Sequence, residues 1–135
     1  FDKVQETHQK ISVIGRSLGS GVAVYLASKR PLNKLALITP YDSIKSLGQS
    51  KFIIFPVFLL LKDKYDSLRR VKHIQAQTIA LMAENDEIIP KKHSLRLINE
   101  FPPEQITAIT INNSGHNDIS YKEEYYQHLK DFFNY

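Results

Sequence analysis

The pentapeptide Gly15-Arg16-Ser17-Leu18-Gly19 stands between an apolar run, Ile11-Ser12-Val13-Ile14, and a helix-like stretch, Val22-Ala23-Val24-Tyr25-Leu26-Ala27-Ser28. It predicts a strand that bends sharply into a helix with a serine on the bend. Glycines two positions either side of Ser17 leave its backbone room to turn. A helix that begins at the serine aims free N–H groups at any negative charge developing beside it. Taken alone, the pattern also fits an ordinary Gly-rich strand–helix turn that binds an anion or nothing.

Two later segments narrow the choice. The apolar strand pattern at 77–83 is followed by Glu84-Asn85-Asp86-Glu87-Ile88-Ile89-Pro90, and the one at 106–111 by Asn112-Asn113-Ser114-Gly115-His116. Serine, acid and histidine each come just past a strand. In an open parallel α/β sheet the loops at the carboxyl ends of the strands share one edge, so residues distant in sequence can meet there. Serine needs that meeting, because its hydroxyl is a weak nucleophile until a histidine takes the proton and a carboxylate fixes the histidine tautomer.

Together with Thr39-Pro40-Tyr41-Asp42-Ser43-Ile44, Lys64-Tyr65-Asp66-Ser67 and Gly115-His116-Asn117-Asp118, these segments make the chain resemble the α/β-hydrolase superfamily over nearly its whole length. The resemblance is closest to serine hydrolases whose elbow reads Gly-Arg-Ser-Leu-Gly. It implies Ser17 as nucleophile, Asp86 as acid, His116 as general base and the Leu18 N–H as one oxyanion donor. Glu84 and Glu87 stand close enough to be rival acids. The implied chemistry is hydrolysis of an ester, thioester or amide, with no cofactor and no metal.

The same resemblance implies about eight strands and a second oxyanion donor in the loop after the third. Four strands are legible, near 11–15, 34–39, 77–83 and 106–111, and they match the fifth to eighth. Phe1 is not a translation start and the only methionine is Met82. The expectation is therefore the C-terminal half of an α/β-hydrolase domain, weak or inactive by itself, with a shortened gene product as the alternative. Removing the first half would leave the first strand as an open sheet edge, which favours dimerisation or aggregation.

Helices are expected near 17–29, 91–100 and 118–133, giving an α/β sheet of about four mostly parallel strands in a single unit over 1–135. An excursion at 43–76 interrupts the alternation. Its apolar run at 52–61 is broken by Pro56 and is about half the ~20 residues that span a bilayer. It reads as a helix buried on the sheet or as a lid over Ser17.

With no cysteine, disulfides, a thiol nucleophile and thiolate metal sites are excluded. The formal net charge of +4 is spread over separate positions such as Lys29, Arg30, Arg69, Arg70, Lys91 and Lys92, which reads as a solvated surface rather than a nucleic-acid patch. His8, His73, His93 and His128 lack metal-site spacing and read as surface or capping residues, Asp42 as a turn or cap residue, and Asp118 as a helix N-terminal carboxylate. Membrane association and localisation stay open, with the cytoplasm as default.

Two competing functions are weighed. A non-catalytic interaction domain keeps the fold and denies turnover. A short-chain dehydrogenase-like nucleotide module would use Gly15, Gly19 and Gly21, then Asn112-Asn113-Ser114-Gly115, Tyr126 and Lys130. Only ten residues separate Gly115 from Tyr126, too few for the strand and connections that such a fold needs between those motifs, since a βαβ crossover by itself takes at least ~10–12.

Overall fold

The computed structural model describes residues 1–49 and 66–134. Apolar runs of strand length form β1 (Val13–Arg16), β2 (Lys34–Ile38), β3 (Gln77–Ala83) and β4 (Ile106–Ile111). They make one sheet in the order β1-β2-β3-β4 with every pair parallel. Helices α1 (Asp2–Gln5), α2 (Leu18–Ala27), α3 (Ile44–Gln49), α4 (Ser67–Val71), α5 (Lys91–Ile98) and α6 (Glu123–Phe133) surround it.

A strand covered on both faces must be apolar at successive positions, and β2 is, with Leu35, Ala36, Leu37 and Ile38 all fully buried. Its alternation divides the core into two layers. Leu35 and Leu37 meet Ala23, Val24 and Ala27 of α2, Val71 of α4 and Leu97 of α5. Ala36 and Ile38 join Ile79, Leu81 and Ala83 of β3 and Tyr125 of α6 on the other face. Full burial of each such leucine or isoleucine contributes about 1.5–3 kcal/mol.

The four strands fall within a residue or three of their expected bounds, and α2 and α5 lie within theirs. The last helix does not begin at 118: a 3-10 turn over Ile119–Tyr121 comes first, and Lys122, with ψ 132°, breaks the path before Glu123. The short α1 was not legible; Arg30 ties it down with Nε and Nη2 bonds of 2.8 and 3.0 Å to the two oxygens of Asp2. That hydrogen bond holds the Asp2 carboxyl below its ordinary range. Within the 43–76 excursion, α3 and α4 are helical, and the Ser67 N–H returns to the Asp42 carbonyl at 2.9 Å. The apolar run at 52–61 lies outside the described residues.

Parallel strands bring Ser17, Asp42, Asp86 and His116, each beyond the carboxyl end of a strand, to one edge of the sheet. No helix among the described residues is long and apolar enough to cross a membrane.

Candidate active site

Ser17 sits between β1 and α2 with φ 52° and ψ −124°, a conformation that L-residues rarely adopt. Neither flanking glycine has a positive φ, so the bend is carried by the serine itself. The two glycines differ in role. A Cβ on Gly15 would stand 2.5 Å from Ala23 Cβ and 2.7 Å from the Gly19 carbonyl oxygen, whereas one on Gly19 would meet nothing within 4 Å. Gly15 lets strand and helix touch; Gly19 is not needed for space. Leu18 N–H is the first of the helix and has no intrahelical acceptor.

Nε2 of His116 lies 2.8 Å from Ser17 Oγ, and its Nδ1 lies 3.0 and 2.9 Å from the two carboxylate oxygens of Asp86. A carboxylate only accepts, so the proton resides on Nδ1 and Nε2 is left to accept from the Ser17 hydroxyl. The Asp86 and His116 side chains are 4% and 7% exposed, which keeps water from competing for these bonds. Asp86 is fixed from its own loop: Oδ1 also accepts from Ile88 N at 3.0 Å and Ile89 N at 2.6 Å.

The rival acids do not reach the imidazole. Glu84 accepts from Asn113 N at 2.7 Å and Glu87 from His116 N at 3.3 Å. Asp118 accepts from Gly115 N at 2.6 Å and stands at the N-terminus of the 3-10 turn, where its side chain makes no cap bond. Glu124 accepts from Asn112 N at 3.2 Å. Four carboxylates thus hold the backbone of the loop that carries His116. Asn112 to Gly115 belongs to that loop, and Tyr126 is 60% exposed on α6.

A second Ser–His–Asp set lies nearby. His93, read from sequence as a surface or capping residue, is 2% exposed because its Nδ1 meets Asp42 Oδ1 at 3.0 Å, while Arg96 Nη1 donates to Asp42 Oδ2 at 2.9 Å. Ser46 Oγ is 3.3 Å from the same His93 Nδ1. A proton relay needs serine and acid on opposite ring nitrogens, and His93 Nε2 is buried with no hydrogen-bond partner among the described residues. This set is a structural tie between the end of β2 and α5.

A pocket of about 390 Å³ opens over Ser17 and His116, lined also by Arg16, Ile88 and Asn117. A larger one, about 540 Å³, includes Ala27, Leu32, His73 and Gln77 and contains none of the residues above. It lies where α2 ends and where β2 and β3 begin, at the opposite end of the sheet. Ser17 and His116 line only the smaller of these two. Among the described residues no group of three or more His, Cys, Asp or Glu could hold a metal.

Residues 2–117 match the family described as serine hydrolase (FSH1). The chain is 33% identical over 109 residues to an uncharacterized protein of Mycobacterium tuberculosis (strain ATCC 25618 / H37Rv), covering 81% of this chain and 38% of that protein. It is 27% identical over 126 residues to alpha/beta hydrolase domain-containing protein aho-3 of Caenorhabditis elegans, covering 92% and 36%. The chain therefore spans well under half the length of these relatives. Among solved structures, MGS-M2, an alpha/beta hydrolase enzyme from a Medee basin deep-sea metagenome library, superposes with a TM-score of 0.76 at 14% identity, covering 99% of this chain and 69% of that one. The monoacylglycerol lipase of Paleococcus ferrophilus gives 0.70 at 15% identity, covering 96% and 70%.

Proposed function

The chain belongs to the FSH1 serine hydrolase family, with an α/β-hydrolase fold, and we propose from that premise that it transfers an acyl group from an ester to water through Ser17, His116 and Asp86. One observation carries this reading: an unbroken run of hydrogen bonds from the Ser17 hydroxyl through both nitrogens of one buried imidazole to a carboxylate. In the reaction His116 Nε2 takes the hydroxyl proton as Ser17 Oγ attacks the carbonyl carbon, and Asp86 stabilises the imidazolium. The Leu18 N–H holds the oxyanion. Collapse expels the alcohol, which takes the proton from His116, and water repeats the sequence to release the acid and free Ser17.

The pocket has room for an acyl group, because about 390 Å³, as the described residues bound it, lies within the roughly 300–1,000 Å³ typical of ligand sites. Ile88 gives it one apolar wall. An ester fits better than an amide, since its alkoxide leaves without a strongly placed general acid. The monoacylglycerol lipase neighbour acts on an ester by its name, which adds support at the level of the fold. Only one oxyanion donor is assigned here, and a missing second donor costs about 10²–10³ in turnover, so the 135 residues alone are expected to be slow.

The test is hydrolysis of p-nitrophenyl acetate and butyrate by the full natural protein, with Ser17→Ala and His116→Ala alongside. Turnover that both variants reduce by orders of magnitude supports the assignment. Turnover unchanged in either removes that residue from its role.

A further inference from the structure

Arg16 precedes the serine in the chain, yet its side chain is committed to the histidine loop. Nη2 donates to the His116 carbonyl at 3.0 Å and to the Asn117 carbonyl at 3.2 Å, and Nη1 donates to Ser120 Oγ at 3.3 Å. No carboxylate stands within ion-pair distance of it among the described residues. The guanidinium is therefore spent on carbonyls and a hydroxyl. Its charge is felt nearby, pulling the Tyr125 phenol down while burial, the larger effect, pushes that phenol above its ordinary range.

Resting on the hydrolase reading above, we propose that Arg16 is a positioning residue that sets the distance between Ser17 Oγ and His116 Nε2. Those two atoms belong to loops 99 residues apart in sequence and meet at 2.8 Å. Arg16 joins the loops directly: its backbone, opposite Ile38 in the β1–β2 register, is bonded to Ser17, and its fork holds the carbonyl of His116 itself. The Glu87 carboxylate accepts from the N–H of the same residue, so both backbone groups of His116 are held from the sequence neighbourhoods of its two partners. A planar fork with fixed donors is pre-organised to bridge two successive carbonyls and a hydroxyl, whereas an ammonium on a flexible stem loses more freedom for each bond it makes and holds them in a looser geometry. A general base is sensitive to such placement, because a displacement of ~1 Å can cost about 10²-fold in rate. Arg16 also lines the pocket, so contact with substrate is the competing role.

The experiment measures inactivation of the full natural protein by a small alkyl fluorophosphonate, separating the maximal rate kinact from the half-saturating concentration KI, with melting temperature recorded for each variant. Ser17 labelling in the wild type is the precondition; its absence removes the hydrolase reading and this inference together. With wild type labelled, Arg16→Met is expected to lower kinact about tenfold or more with KI and melting temperature nearly unchanged, a fraction of the ~10²-fold that full misplacement would cost. Arg16→Lys should fall between the two and carries the test alone if the methionine variant does not fold. A rise in KI with kinact unchanged assigns Arg16 to ligand contact and overturns the proposal. So does a kinact at wild-type level in both variants, or a loss that simply follows the melting temperature.

Discussion

A Cβ placed on Gly15 would lie 2.5 Å from that of Ala23, closer than two such carbons can approach. The elbow depends on this contact, because β1 and α2 must touch for the chain to bend over Ser17. Gly15→Ala is expected to destabilise the chain by about 1–3 kcal/mol, the usual range for overpacking. Gly19→Ala should be neutral within about 0.5 kcal/mol, since a Cβ there meets nothing. Urea denaturation of the two variants checks the pair, and equal midpoints would contradict the distinction.

The three acids around His116 should separate by function. Asp86→Asn keeps the shape but forces the wrong tautomer, for a loss of about 10⁴-fold in turnover. Glu84→Gln and Glu87→Gln leave the ring partner in place and change only bonds to backbone N–H groups, so each should cost less than about tenfold. Steady-state ester hydrolysis by the three variants decides it. A loss for Glu87→Gln as large as that for Asp86→Asn would reassign the acid.

Asp42 is fully buried and bonded to His93, to Arg96 and to the Ser43 N–H. Asp42→Ala leaves the buried His93 Nδ1 and the Ser43 N–H without their acceptor and should cost about 1–3 kcal/mol, the usual penalty for a buried polar group left unpaired. Ser46→Ala should leave the reactivity of Ser17 unchanged, because Ser46 and Asp42 meet the same nitrogen of His93. Thermal melts and fluorophosphonate labelling check these together; loss of labelling in a folded Ser46→Ala variant would give the second set a chemical role.

β1 pairs with β2 on one side and with no strand on the other among the described residues. Ile14 is 54% exposed there, and Leu18, Val22 and Tyr25 form an exposed apolar stripe along α2 at i, i+4 and i+7. The 135-residue chain by itself is expected to associate through this edge. Light scattering over a concentration series should give a rising mean mass that Ile14→Lys lowers. A constant monomer mass at the highest concentration would contradict it.

Much of this was legible because parallel strands advertise themselves. Runs such as Leu35 to Ile38 and Ile79 to Ala83 are apolar on both faces, and the residues just past them must gather at one edge. That Ser17, Asp86 and His116 could meet was legible in this way. The contacts that surround them were not. Arg16 helps to mark the elbow, but nothing in the motif says where its side chain goes until its reach to the His116 carbonyl is seen. His93 looked solitary because its partner, Asp42, is 51 residues away in the chain, with α3, α4 and β3 between them. Its one available hint was a histidine at an inward position of the amphipathic helix α5, where burial demands a polar partner. Glu84, Glu87, Asp118 and Glu124 act on backbone N–H groups, which all residues share and no sequence pattern marks.

The most direct measurement is the intact mass of the 135-residue chain after treatment with a fluorophosphonate, beside Ser17→Ala and beside the full natural protein. The account predicts one adduct on the full protein that maps to Ser17 and vanishes in the alanine variant, with slower labelling of the 135 residues alone. An unlabelled full protein, or an adduct that persists in Ser17→Ala, would contradict the assignment of Ser17 as the nucleophile.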